Sequence, residues 1–185
     1  MNKNHASQIT TNNGLYRGTG GYIGFSTSHF INNGTIAPGV NATGCLKTYQ
    51  MTNNGIIEIE VNGTTVCSGF DQLGSAFGPY TLGGTLNVTF GAGYTPTAGD
   101  KLKIIDAFAG SGSFAATNLP STWVVLYNNP NAGEVSIEYV PCNIAISGIT
   151  PTHQICAGVN DGTLTVAATC ASCANGASDI RYSID

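Results

Sequence analysis

Two carboxylates stand two positions apart at Glu58 and Glu60, in the stretch IIEIEV. On a strand, residues at i and i+2 share a face, and a pair of carboxyl groups about 5–9 Å apart is what glycoside hydrolysis uses. The alternation with Ile57, Ile59 and Val61 equally makes them the solvated side of a half-buried strand. The other acids read as structural: Asp71 in GFDQL as a turn cap, Asp100 in AGDK as a turn residue, Asp106 in IIDAF as a satisfied strand residue. A lyase would also gather cations around a uronate, and Arg17, Lys47, Lys101 and Lys103 are scattered. His5, His29 and His153 have no Ser or Cys and acid beside them in a nucleophile signature. Asn160-Asp161-Gly162 could offer oxygens to calcium, yet an Asn-Asp-Gly turn needs no ion. These residues predict no catalytic group, no metal and no cofactor.

The six cysteines are the second chemical feature. An even number in a chain nearly devoid of Lys and Glu favours an oxidising compartment. Cys45 and Cys67 form one set, and Cys142, Cys156, Cys170 and Cys173 another with three connectivities open. Cys170-Ala-Ser-Cys173 is a C-x-x-C, but zinc asks for a second close pair, and Cys142 and Cys156 are 14 apart. A thioredoxin-like motif should open a helix, whereas ASCANGAS reads as loop. All six are read as structural disulfide candidates.

Binding is more open than catalysis. Tyr16, Tyr49 and Trp123, with Glu58 and Glu60, are candidate glycan contacts, since aromatic rings stack on sugars and carboxylates accept from hydroxyls. Trp123 in PSTWVVLY also fits a plug over the last layer of the fold. Thr85, Thr89, Thr163 and Thr165 hint at an ice-binding face, although their ranks are irregular.

The scaffold that must position these side chains reads as all-β. Charged residues are 9% of the chain, against roughly 25% in ordinary soluble domains. Short β-branched runs abound, and no sustained 3.6-residue apolar period marks a helix. Asn-Asn-Gly recurs at 12–14, 32–34 and 53–55, at spacings of 20 and 21, each time before an apolar stretch. Asn13, Gly14, Asn33, Gly34, Asn54 and Gly55 are therefore read as a repeated sharp turn that exploits positive φ. A repeat of this length with short strands predicts a parallel β-solenoid, with a β-sandwich as the competing fold. On adjacent coils Cys45 and Cys67 would lie one strand spacing apart, about 4.8 Å, within reach of a disulfide. The next interval, Gly55 to Gly84, lengthens to 29, so later coils carry insertions or cap the end. LGGTLNVTF at 82–90 turns Leu86, Val88 and Phe90 to one face; NAGEVSIEYV at 131–140 turns Val135, Ile137 and Tyr139 inward and Glu134, Ser136 and Glu138 outward.

A resemblance rests on several of these stretches together. GTIAPG at 34–39, the alternating strand at 57–61, FDQL at 70–73 and LGGTLNV at 82–88 resemble the closing coils of bacterial secreted β-helix proteins, adhesin-like and autotransporter-like, over roughly residues 14–140. Residues 142–185, through Cys156, Asn160, Asp161, Gly162, Val166, Tyr182 and Ile184, are similar to the start of an Ig-like repeat of Bacteroidetes gliding-motility adhesins. The expected organisation is a right-handed β-solenoid end with its cap over 1–140 and an incomplete Ig-like β-sandwich module over 141–185. The resemblance implies a non-enzymatic structural and adhesive segment of a large extracellular or cell-surface protein. Its partners would be neighbouring domains, further copies joined end to end into fibres, glycans or cell surfaces. The alternatives are a polysaccharide-binding or polysaccharide-cleaving β-helix and, less so, an ice-binding solenoid. A net charge of −4 without a basic run predicts no nucleic-acid partner. No apolar run of about 20 residues predicts no membrane span. The N-terminus has no apolar signal-peptide core, and DIRYSID stops within a strand pattern, so both ends read as cut from a longer chain.

Overall fold

A computed structural model describes residues 8–23, 28–75, 78–141, 144–152 and 163–170. The chain divides into two compact units, Met1–Tyr139 and Val140–Asp185. The described residues are all strand, turn and loop, with no helix.

In the first unit the chain makes repeated passes, each laying one strand on each of three sheets. The first pass contributes β1 (Ile9–Asn12), β2 (Leu15–Gly18) and β3 (Tyr22–Ile23). The second adds β4 (His29–Asn32), β5 (Thr35–Pro38) and β6 (Cys45–Thr48); the third adds β7 (Gln50–Asn53), β8 (Ile56–Val61) and β9 (Gln72–Ser75). Then come β10 (Pro79–Leu82), β11 (Thr85–Phe90) and β12 (Lys101–Asp106), followed by β13 (Ala109–Gly112) and β14 (Ala116–Asn118). The sheet orders are β1-β4-β7-β10-β13, β2-β5-β8-β11-β14 and β3-β6-β9-β12, and every one of these pairings is parallel. This all-β, parallel-sheet arrangement is consistent with the β-helix class.

Parallel pairing turns sequence period into vertical columns. Phe30, Met51 and Tyr80 stand in register on the first sheet, Ile36, Ile57 and Leu86 on the second, Leu46, Leu73 and Ile105 on the third. All nine are buried. The core is thus a set of apolar columns between the sheets, each large side chain worth about 1.5–3 kcal/mol of transfer free energy. Thr48 and Tyr80 enter this core because their hydroxyls meet: Thr48 Oγ1 donates to Tyr80 Oη at 2.9 Å, and Tyr80 Oη donates to the Gly74 carbonyl.

The Asn-Asn-Gly triplet is explained by three separate contacts. The first Asn points inward: Asn12 Nδ2 donates to Asn32 Oδ1, and Asn32 Nδ2 to Asn53 Oδ1, both at 2.7 Å. The second Asn forms an exposed ladder, Asn54 to Asn33 at 3.0 Å and Asn33 to Asn13 at 3.2 Å. The glycines stack, and a Cβ on Gly34 would lie 2.1 Å from the Gly14 carbonyl oxygen, one on Gly55 2.0 Å from that of Gly34. Here the expectation of positive φ is corrected: none of Asn13, Gly14, Asn33, Gly34, Asn54 and Gly55 adopts it. Glycine is required at Gly34 and Gly55 because the preceding pass leaves no room, not because the backbone is left-handed. At Gly84 (φ +63°), which closes the lengthened interval, both reasons apply.

Parallel stacking on the third sheet gives way to β15 (Trp123–Tyr127) and β16 (Glu134–Tyr139), which pair antiparallel with each other and, through β16, with β12. Val135 and Ile137 are buried, but so are Glu134 and Ser136, against the outward orientation read from the alternation. Strand β16 has neighbours on both sides, Ser136 lying opposite Lys103 and Leu126. Glu134 is covered by the groups that bind its carboxylate. In the second unit β17 (Ile144–Thr152) and β18 (Thr163–Cys170) form an antiparallel pair with a bulge between Ile146 and Gly148.

Candidate functional site

The outer face of the second sheet gathers the polar residues best placed to meet a ligand. Arg17 of β2 lies beside Ala37 of β5, and Glu58 of β8 beside Asn87 of β11, which faces Asn118 of β14. A second row runs from Glu60 to Thr89. With the 39–42 loop as a wall these residues line a groove of about 370 Å³. Arg17 and Glu58 approach to 3.7 Å as a half-exposed ion pair, and Asn118 Nδ2 donates to Asn87 Oδ1 at 2.6 Å. Exposed pairs of this kind add little stability, so their polar groups remain available to a ligand.

The wall is held from beneath by Asp71. Its carboxylate is 1% exposed and accepts from the Gly44 amide at 2.6 Å and the Glu60 amide at 2.9 Å. Burial pushes its pKa up to about 6, against the pull of those two donors. Both oxygens are committed to main chain, which makes Asp71 a tether. Beside it, Cys45 and Cys67 form a disulfide with Cα atoms 4.9 Å apart. Cys67 lies in the 62–71 insertion, in left-handed conformation at φ 66°, so the bridge fastens an outward loop rather than two ladder neighbours. Cys142, Cys156 and Cys173, and the side chain of Cys170, lie outside the described residues.

A second polar cluster lies on the third sheet, where Lys103 Nζ meets Asp106 Oδ1 and Glu134 Oε1, both at 3.1 Å. Burial disfavours the Lys103 charge, but its two carboxylate partners more than offset this and hold the ammonium above the ordinary lysine range. The Asn131 amide, then Lys103, hold the Glu134 carboxyl below its usual range against the effect of burial. This is a satisfied network that ties β16 to β12.

Glu58 and Glu60 both enter the groove, but the aromatic candidates do not line it. Tyr16 sets its ring edge against Phe30 at 5.8 Å. Tyr49 stacks on Tyr22 at 5.0 Å, near the third sheet, with Lys47 Nζ 5.8 Å from the Tyr22 ring. Trp123 is buried among Phe90, Tyr94 and Tyr139, at centroid distances of 4.8, 6.4 and 5.3 Å, so no sugar can stack on it in this arrangement. Thr85 and Thr89 stand opposite Ile56 and Glu60, which breaks any hydroxyl rank on β11; Asn160, Asp161 and Gly162 lie outside the described residues, as do the side chains of Thr163 and Thr165. The inward asparagines, Asn12, Asn32 and Asn53, and the groove residues Arg17, Asn87 and Asn118 were not singled out by chemistry. Their signal was positional: 17, 37, 58 and 87 differ by the same 20, 21 and 29 as the turn glycines.

The sequence matches no protein-family model and no curated protein. Among the described residues no helix is long and apolar enough to cross a membrane.

Proposed function

We propose that residues 1–140 are coils and a cap of a right-handed parallel β-solenoid, followed at 141–185 by Ig-like sequence. The chain then acts as a non-enzymatic structural and adhesive segment of a large bacterial cell-surface protein. One observation carries this reading: the vertical register of Asn12, Asn32 and Asn53, whose side chains are bonded to one another through the turn. A column of amides at the edge of the core resists both bending and sliding, because any slip breaks several buried and half-buried hydrogen bonds together. The role is mechanical: a stiff segment holds an adhesive portion away from the cell, and the Cys45–Cys67 bridge clamps the 62–71 loop in an oxidising environment.

The test is made in cells producing the parent protein. An antibody against residues 8–139 labels intact cells, and replacing those residues by a Gly/Ser linker of equal residue number abolishes adhesion while a terminal tag stays on the surface. Unlabelled intact cells, or unchanged adhesion with the linker, would overturn the reading.

A further inference from the structure

The groove over the second sheet has features that a spacer does not need. Four of its five strands present a polar side chain along one line, Arg17, Glu58, Asn87 and Asn118, with Ala37 of β5 between the first two, and the strands are about 4.8 Å apart, close to the advance per unit of an extended 1,4-linked pyranose chain. The Asn118-to-Asn87 bond consumes one amide donor and one acceptor, leaving Asn87 Nδ2 and Asn118 Oδ1 to face a ligand. Arg17, Glu58, Glu60 and Thr89 add a fixed set of donors and acceptors on the same surface. Planar side chains that offer paired polar atoms suit the vicinal hydroxyls of sugars.

We propose that this groove binds a glycan chain whose sugars carry amino groups, laid across the strands from Arg17 towards Asn118. Charge selects the class. Two carboxylates at the groove surface, Glu58 and Glu60, face a single guanidinium, Arg17, with the Asp71 carboxyl beneath. A polyuronate would bring negative charge to an already negative site, whereas a glucosamine ammonium meets Glu58 and Glu60 directly. The groove is built before the ligand arrives: Asp71 fixes Gly44 and the Glu60 amide, and the Cys45–Cys67 bridge fixes the loop that leads into Asp71. A site held in this way loses little conformational entropy on binding. No aromatic ring lines it, so recognition is by hydrogen bonds and charge rather than by stacking.

The experiment titrates the 185-residue chain with three tetrasaccharides by calorimetry: β-1,4-linked glucosamine, β-1,4-linked glucose and α-1,4-linked galacturonate. The expected order of affinity is glucosamine, then glucose, with galacturonate not binding. Glu58→Gln should weaken the glucosamine tetramer about 10-fold, as the loss of one charged hydrogen bond predicts, and should leave the glucose tetramer within about 2-fold. Asn118→Ala should weaken both sugars by a few-fold, and Lys101→Gln, away from the groove, should change neither. Because Glu58 and Asn118 are not buried, their variants should melt with the parent protein, which a thermal scan verifies. Tighter binding of galacturonate, equal glucosamine binding by Glu58→Gln and the parent, or no saturable binding of any of the three would each overturn the assignment.

Discussion

In residues 8–23 and 28–61 each pass lays its strands on the one before it, with Asn12, Asn32 and Asn53 in one column, Gly34 and Gly55 each resting on the glycine of the previous pass, and Ile36 on Ile57. In residues 119–139 the copying stops: β15 and β16 pair antiparallel, and Phe90, Tyr94, Trp123 and Tyr139 close over one another. A buried carboxylate lies just beyond the first region and another within the second, and the two titrate in opposite directions. Asp71 has only main-chain amides and moves up; Glu134 has the Asn131 amide and a lysine and moves down. The repeating part meets its polar demands with neutral amides in register, and the closing part with a charge network and aromatic mass. Repetition makes each residue's environment a function of its equivalents one pass away, while closure makes it a function of residues with no sequence relation.

The sharpest break between the regions should come from Gly55→Ala. Its Cβ would lie 2.0 Å from a carbonyl oxygen that the ladder holds in place, so we expect a loss of about 5 kcal/mol or failure to fold, read by chemical denaturation. Gly14→Ala meets nothing within 4 Å and should change stability by less than about 1 kcal/mol. Equal effects at the two positions would refute the stacking argument. In the closing region, Trp123→Ala should cost about 3–5 kcal/mol by emptying the aromatic cluster. Hydrogen exchange should then rise first in β15 and β16 and leave β4, β5 and β7 protected.

The two carboxylates give the next test. Asp71 has its folded pKa raised from 3.8 to about 6, so the stability tied to it is fully present below about pH 4 and is lost as pH rises through about 6. The difference reaches up to about 3 kcal/mol by linkage. Glu134 works the other way, its stabilisation present above the ordinary carboxylate range and lost as pH falls through its lowered folded value. Melting the parent and Asp71→Asn across pH 3–8 should therefore show the Asp71 slope in the parent only; parallel curves would refute it. Reduction of the Cys45–Cys67 bridge, which spans 22 residues, should cost about 3 kcal/mol in the loop-entropy estimate, and Cys67→Ser should remove that part of the response to reductant. Last, Asn32→Ala should cost about 2 kcal/mol, because it strands the buried Asn53 side-chain carbonyl on one side and the half-buried Asn12 amide on the other, whereas Asn33→Ala on the exposed ladder should cost under about 0.5 kcal/mol. Similar values for the two would mean that burial of the inner ladder does not matter.

Much of the repeating part was legible because period is a property of sequence. The 20- and 21-residue intervals place Asn12, Asn32 and Asn53 in one column, and a lengthened interval carries the insertion with Cys67. What the intervals could not reveal was why glycine recurs, since a clash with the preceding pass leaves no trace in the local chain. The closing part was less legible for a related reason. The alternation of β16 marks Glu134 and Ser136 as outward, but antiparallel neighbours and the Lys103 network cover that side as well. In the groove, Glu58 and Glu60 were visible as a pair, whereas Arg17, Asn87 and Asn118 join them only after the register is applied.

The stacked glycines carry a consequence for how such a chain can change. At their corner the backbone of each pass rests directly on the carbonyl of the last, so a single inserted residue there has nowhere to go. At the corner between the second and third sheets the chain bulges outward, and the 62–71 and 91–100 loops lie there while Gly84 still sits on Gly55. Growth at the tight corner must proceed by entire layers, whereas elsewhere it can proceed one residue at a time. One edge of the molecule is therefore held to a fixed metre, and variety accumulates on the others.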